Sequence, residues 1–329
     1  MRCISKRYAS AAVVCFLTAG LLTGCATKEY AFSYDPESTV SSFQMTENAM
    51  VKQADLFAQE LCVTASDVTA GKSVDMSQAS SAGLFDLRKC QVLYAKNVHE
   101  KLYPASLTKV MTALVALKYG NPDDTITVSA TAAGITESGA QLCGLKTGDC
   151  LTLNQALHAL LMYSANDAGL AIAEHIGGSV EGFADMMNEE AVLIGATNSH
   201  FVNPHGLQDD NHYVTAYDLY LIFNEALKYD LFSEIIGMDS YTTTYTDKNG
   251  NPKTFDFKTT NQYLQGTYTP PENITVIGGK TGTTNAAGNC LILLSRDTSS
   301  NPYISVILRS KERAILYEEM TDLLSEINK

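Results

Sequence analysis

The sequence predicts an α+β domain in which a mainly antiparallel sheet, flanked by helices, is built from the two ends of residues 80–329 and encloses an inserted all-helical lobe. Three observations predict it. Short strand-patterned segments open this region at 82–87 and 91–94 and return at 274–277, 290–295 and 303–308. Between them, from 107 to 228, apolar residues recur at helical spacing in successive runs. After Asp230 the texture changes again, to segments rich in Thr, Tyr and Phe. No internal repeat competes with this reading.

At 329 residues and 45% hydrophobic content, the chain can bury a full core. Residues 1–24 read as an export signal, with Arg2, Lys6 and Arg7 at a basic start, an apolar stretch over 9–22 and small residues before Cys25. That stretch is short for a permanent bilayer span, and an uncleaved anchor is the alternative. Either reading tethers the protein outside the cytoplasm. Leu22-Thr23-Gly24-Cys25 also resembles a bacterial lipobox, so Cys25 is expected to become a lipid-bearing N-terminus on a membrane. Formal charge is −13, and −16 once the signal's three basic residues are removed, which argues against nucleic acid as a partner.

Residues 25–79 are polar and weakly punctuated and read as a tether of roughly 40 Å mean reach. Within them 46–61 has an amphipathic pattern, with Met50, Phe57 and Leu61 on one face. Of the eight cysteines, Cys3 and Cys15 leave with the signal and Cys25 takes lipid, so Cys62, Cys90, Cys143, Cys150 and Cys290 stay in the mature chain. Cys143 and Cys150 flank the turn-like Gly144-Leu145-Lys146-Thr147-Gly148 and are expected to pair in an oxidising compartment. No Cys-x-x-Cys or histidine cluster suggests a metal.

The domain opens with strands 82–87 and 91–94 around the polar turn Arg88-Lys89. A helix follows over 107–117, where Leu107, Val110, Met111, Leu114, Val115 and Leu117 share helical spacing between Pro104 and Gly120. Residues 125–128 alternate as a short strand. Helices are expected at 152–162, at 167–176 closed by Gly177-Gly178, at 181–194, and at 215–228 with a Thr215-x-x-Asp218 cap. Lys248-Asn249-Gly250-Asn251 is the turn of a hairpin, the three late strands follow, and a helix over 313–327 closes the chain.

Ser106-Leu107-Thr108-Lys109 puts a hydroxyl and an amine three residues apart in the first turn of the 107–117 helix. They share a face there, and the Lys109 amine can take the Ser106 proton. Ser164-Ala165-Asn166 lies on a break between two helices, where the hydroxyl can relay a proton and the amide can hold a substrate amide. Ser299-Ser300-Asn301 has the same pattern but reads as an ordinary turn beside Pro302. Gly278-Gly279-Lys280-Thr281-Gly282-Thr283 follows the 274–277 strand and offers a cation and a hydroxyl to a carboxylate, with glycines that let a substrate backbone approach. A phosphate loop would need glycine where Ile274 stands and a following helix. The Lys-Thr-Gly at Lys146-Thr147-Gly148 sits in a turn and is read as coincidence.

Ser-x-x-Lys, Ser-x-Asn and Lys-Thr-Gly in this order resemble the penicillin-binding proteins and serine β-lactamases. Residues 105–117, 151–178, 197–207 and 277–288 are similar to one branch, the low-molecular-mass D-alanyl-D-alanine carboxypeptidases of peptidase family S11. The resemblance implies the β-lactamase/DD-peptidase fold for 80–329. It implies no cofactor, and peptidoglycan stem peptides and β-lactam antibiotics as partners. Ser106 would be the nucleophile, Lys109 its base and Ser164 the relay. Asn166, Lys280, Thr281, Gly282 and Thr283 would bind substrate, with the Ser106 and Thr283 N–H groups as oxyanion hole. The chain departs from relatives that place an arginine before the Lys-Thr-Gly strand, since Thr259-Thr260-Asn261-Gln262 has none. Relatives also often add a β-rich domain and a membrane-touching C-terminal helix, a role the lipid on Cys25 would take over here. The six histidines, His205 among them, are expected in loop or packing roles, because a lysine base needs no histidine. A β-lactamase is the nearest enzymatic alternative, disfavoured by Ala165 in place of aspartate; a non-catalytic wall-binding lipoprotein is the other.

Overall fold

In the computed structural model, which describes residues 58–69 and 74–328, both ends of the domain enter one sheet. Strands β1 (Ser81–Asp86) and β2 (Gln91–Lys96) form the opening hairpin, and β7 (Thr275–Thr284), β8 (Gly288–Arg296) and β9 (Pro302–Ser310) close it. The order is β2-β1-β9-β8-β7, antiparallel throughout, and β7 is an edge strand. β1 pairs with β9 from Ser81 opposite Leu308 to Asp86 opposite Tyr303. The expected joining of the terminal segments is therefore present.

Side chains alternate across this sheet and feed two cores. Leu84, Leu291, Leu293 and Ile307 meet Leu316, Tyr317, Met320 and Leu323 of the C-terminal helix α8 (Arg313–Ser325). Phe85, Ile292, Ile304 and Val306 face the helical lobe. At its centre is α1 (Thr108–Tyr119), buried continuously from Thr108 to Ala116. Around it pack α3 (Leu153–Leu161), α4 (Asn166–Gly177), α5 (Val180–Leu193), α6 (Ala216–Ala226) and the short α7 (Asp230–Gly237). A helix buried on every side is held on every side, which makes the first turn of α1 a rigid place for chemistry. Thr152 caps α3 in a reciprocal pair with Gln155.

Several elements differ from the sequence reading. α2 (Ala130–Ala133) and α7 are too short to show a clear period. A second sheet, order β3-β4-β5-β6, joins β3 (Thr125–Thr127) and β4 (Cys150–Thr152) to the hairpin β5 (Ser240–Thr246) and β6 (Pro252–Lys258). β4 escaped notice because its last residue is also the α3 cap. β7 runs on through the Lys-Thr-Gly motif rather than stopping before it, since pairing with β8 holds Gly278 and Gly279 extended despite their weak strand preference.

Cys143 and Cys150 do not pair: all five described cysteines are free thiols. Cys143 Sγ donates to Asp167 at 3.3 Å, while Cys150 lies in β4 against Thr127. Described residues ahead of position 80 also pack on the domain. Residues 58–61 form a turn, Cys62 is buried with its N–H on the Tyr220 hydroxyl, and Val68 bridges to Ala95. The signal, Cys25, the tether up to 57 and most of the helix expected at 46–61 lie outside the described residues. Among the described residues no helix is long and apolar enough to cross a membrane.

Candidate active site

Ser106 sits in a single 3-10 turn, Ala105–Leu107, that runs directly into α1. Ala105 has φ of 48°, the left-handed region that residues other than glycine seldom occupy. One turn later stands Lys109, fully buried, with Nζ 2.9 Å from Ser106 Oγ. The i,i+3 spacing thus becomes a hydrogen bond.

Two other contacts give that bond its direction. Lys109 Nζ donates to Asn166 Oδ1 and to the His205 backbone carbonyl, both at 2.7 Å, and both oxygens only accept. An uncharged amine has two N–H bonds and one lone pair. With both hydrogens taken, the lone pair is left facing the Ser106 hydroxyl. Burial holds Lys109 well below the ordinary lysine range, the Lys280 charge adds to this, and Asp167 opposes it.

Ser164 and Asn166 come from the break between α3 and α4. Ser164 is a second non-glycine residue with positive φ, 65°, and Asn166 opens α4 with its N–H on the Gln141 carbonyl. Asp167 accepts from the N–H groups of Cys143, Gly144 and Leu145 and from the Cys143 thiol, which fastens that loop to the start of α4. Lys280 Nζ reaches Ser164 Oγ at 3.1 Å and the Thr281 carbonyl at 2.8 Å. Burial brings its pKa down to about 7.

β7 lies against the nucleophile turn. A Cβ on Gly282 would stand 3.0 Å from the Ser106 backbone nitrogen, so only glycine lets strand and turn meet at this distance. Thr281 Oγ1 shares a 2.7 Å hydrogen bond with Thr260 Oγ1. The resulting cleft, about 540 Å³, is lined by Ser106, Ser164, Asn166, Thr281, Gly282 and Thr283. Lys109 and Lys280 lie behind this lining and address it through hydroxyls.

The structure therefore brings together every site residue expected on the domain, and adds three that sequence reasoning missed. The His205 carbonyl is a backbone atom, invisible to motif reading. Its imidazole is also buried and accepts from the Leu207 N–H, and burial takes its pKa down to about 3. Tyr163 lines the cleft and stacks on Phe257 at 4.9 Å. Arg313, first residue of α8, is an exposed cation on the cleft with no hydrogen bond or ion pair to any described residue. The stretch 259–262 offers the cleft no such cation. Lys146-Thr147-Gly148 lies in a turn outside the lining, and Ser299 and Asn301 give their N–H groups to Asp297 in the β8–β9 turn. The Lys-Thr-Gly motif at Lys280 lies inside β7 and leads into β8, not into a helix, so the phosphate-loop reading has no structural counterpart. Among the described residues no group of three or more potential ligands is arranged for a metal.

Comparison with known proteins agrees with this geometry. A family model described as D-alanyl-D-alanine carboxypeptidase, Peptidase S11, matches residues 65–312. The D-alanyl-D-alanine carboxypeptidase DacF of Bacillus subtilis is 37% identical over 221 residues, covering 65% of this chain and 53% of its own. DacA of Haemophilus influenzae, of the same description, is 31% identical over 251 residues, covering 75% and 61%. The chain thus spans between half and two thirds of the length of these curated relatives. The crystal structure of the Streptomyces K15 DD-transpeptidase superposes with a TM-score of 0.71 at 26% identity, covering 79% of this chain and 98% of that one.

Proposed function

The chain belongs to the D-alanyl-D-alanine carboxypeptidase family, peptidase S11, and on that premise we propose that it is a serine-type carboxypeptidase acting on peptidoglycan stem peptides. It removes the terminal D-alanine through an acyl-enzyme and is acylated by β-lactams. The observation that supports this best is the seat of Lys109, whose two fixed acceptors leave its lone pair to Ser106.

Ser106 Oγ attacks the carbonyl between the two D-alanines as its proton passes to Lys109 Nζ. The Ser106 and Thr283 N–H groups receive the developing oxyanion. Collapse breaks the peptide bond, and the leaving amine takes its proton through Ser164 Oγ, which Lys280 holds in place. Water then hydrolyses the Ser106 ester. Asn166 Oδ1 is taken by Lys109, so its Nδ2 hydrogens are the ones offered to the substrate amide carbonyl. Thr281 donates to the terminal carboxylate, with Lys280 and Arg313 supplying positive potential and Gly282 allowing close approach. Residues 1–24 act as export signal and lipid on Cys25 anchors the domain to the outside of a bacterial membrane, a reading supported by the basic start, the 9–22 apolar stretch and the lipobox-like Leu22-Thr23-Gly24-Cys25.

A β-lactamase needs a further carboxylate to drive deacylation, and no aspartate or glutamate is among the residues lining the cleft. A non-catalytic wall-binding protein has no need of a buried, uncharged lysine beside the serine.

Intact mass of the purified protein, followed after adding a penicillin with Ser106→Ala beside it, tests the proposal. A lasting adduct on the wild type and none on the variant is expected. Rapid drug hydrolysis without an adduct would favour the β-lactamase, and an intact drug with no adduct the binding protein.

A further inference from the structure

Ala105, just before Ser106, is held in its left-handed conformation from two sides. On one side Gly206 packs so closely that a Cβ there would stand 1.8 Å from the Ala105 carbonyl oxygen. On the other, Thr108 Oγ1 donates to the same oxygen at 2.8 Å.

Thr108 Oγ1 is in turn 2.8 Å from His212 Nε2, and His212 Nδ1 lies 3.2 Å from the Val202 backbone nitrogen. The chemistry of the end groups leaves one arrangement of these protons. The Val202 N–H only donates, so Nδ1 is the bare nitrogen and the proton of the neutral ring sits on Nε2. The Ala105 carbonyl only accepts, so the single Thr108 hydroxyl proton goes there. Toward His212, Thr108 must therefore accept, and Nε2–H is the donor that meets it. The hydrogen bonds run one way, from Val202 through His212 and Thr108 to Ala105.

His212 is 2% exposed, its ring is met edge-on by Phe201 at 5.6 Å, and burial brings its pKa down to about 4, so the neutral form persists at neutral pH. Neither His212 nor Thr108 lines the cleft.

We propose that His212 is a positioning residue for acylation: through Thr108 it fixes the Ala105 carbonyl, and with it the backbone that aims Ser106 at Lys109 and the cleft. The inference rests on the reading of Ser106 as nucleophile.

The test uses the full chain and measures two quantities for a penicillin, the acylation rate constant and the affinity of the reversible complex, with the folded fraction checked by circular dichroism. His212→Phe, which keeps a ring but no donor, should slow acylation about 10- to 100-fold with the reversible affinity unchanged. His212→Gln, whose amide nitrogen can stand near Nε2, should return the rate to within about threefold of wild type. Thr108→Val should match His212→Phe, and the double variant should be no slower than the slower single one.

Folded His212→Phe with the wild-type rate overturns the proposal, as does a Gln variant as slow as Phe or a multiplicative double variant. If His212→Phe does not fold, folded Thr108→Val decides, and a wild-type rate there overturns it. A wild type that takes no penicillin on Ser106 overturns the nucleophile reading as well.

Discussion

Lys109 and Lys280 are both buried, yet the proposed chemistry asks for an uncharged amine at one and a charge at the other. Lys109→Met removes the base and should slow penicillin acylation about a thousandfold while the protein stays folded; stopped-flow acylation with a circular dichroism spectrum checks both halves. Opposite requirements also predict a bell-shaped pH dependence of kcat/KM. As pH falls, Lys109 gains a proton, the lone pair facing Ser106 disappears and acylation is lost. As pH rises through about 7, Lys280 loses the charge that attracts a terminal carboxylate. The alkaline limb should therefore be present for a peptide ending in a free carboxylate and absent for its amide, which assigns that limb to Lys280 by comparing two substrates on one enzyme.

Among the elements, α3 reaches the site by its far end, since its N-terminus is capped by Thr152 and its C-terminus leads to Ser164. Thr152→Ala should cost about 1 kcal/mol of stability, read by denaturant melt, and leave acylation unchanged. The helices were legible from sequence because apolar residues such as Val110, Met111, Leu114 and Val115 recur at helical spacing between clear punctuation, Pro104 and Gly120 for α1. Strand β7 was legible only at its start, because Gly278 and Gly279 read as a stop and only pairing with β8 shows them extended. The site divides in the same way. Ser106, Lys109, Ser164, Asn166 and Lys280 carry their chemistry in their side chains and keep it at fixed spacing. The His205 carbonyl is a backbone atom, and Arg313 reaches the cleft from a helix whose sequence carries no motif.

For the whole molecule, the antiparallel pairing of β1 with β9 means that a break in the middle of the chain need not separate its parts. A single cut after the exposed Lys248, in the β5–β6 turn, leaves β1 and β2 on one fragment and β7, β8 and β9 on the other. The fragments should co-elute on gel filtration and still be acylated, and they should part only in denaturant. The second sheet was hidden for a related reason, since β3 and β4 stand far in sequence from β5 and β6 and meet them through the single pairing of Cys150 with Thr246. β7 carries a further consequence, because it is paired on one side only and its outer edge faces the cleft. An open strand edge invites a neighbouring molecule to add its own strand, and the usual protections of charge, proline or a covering helix would also shut out a peptide. Self-association during refolding and peptide capture would thus compete for the same row of backbone groups, so the opening proposed to serve substrate is also an edge at which this domain is exposed to aggregation.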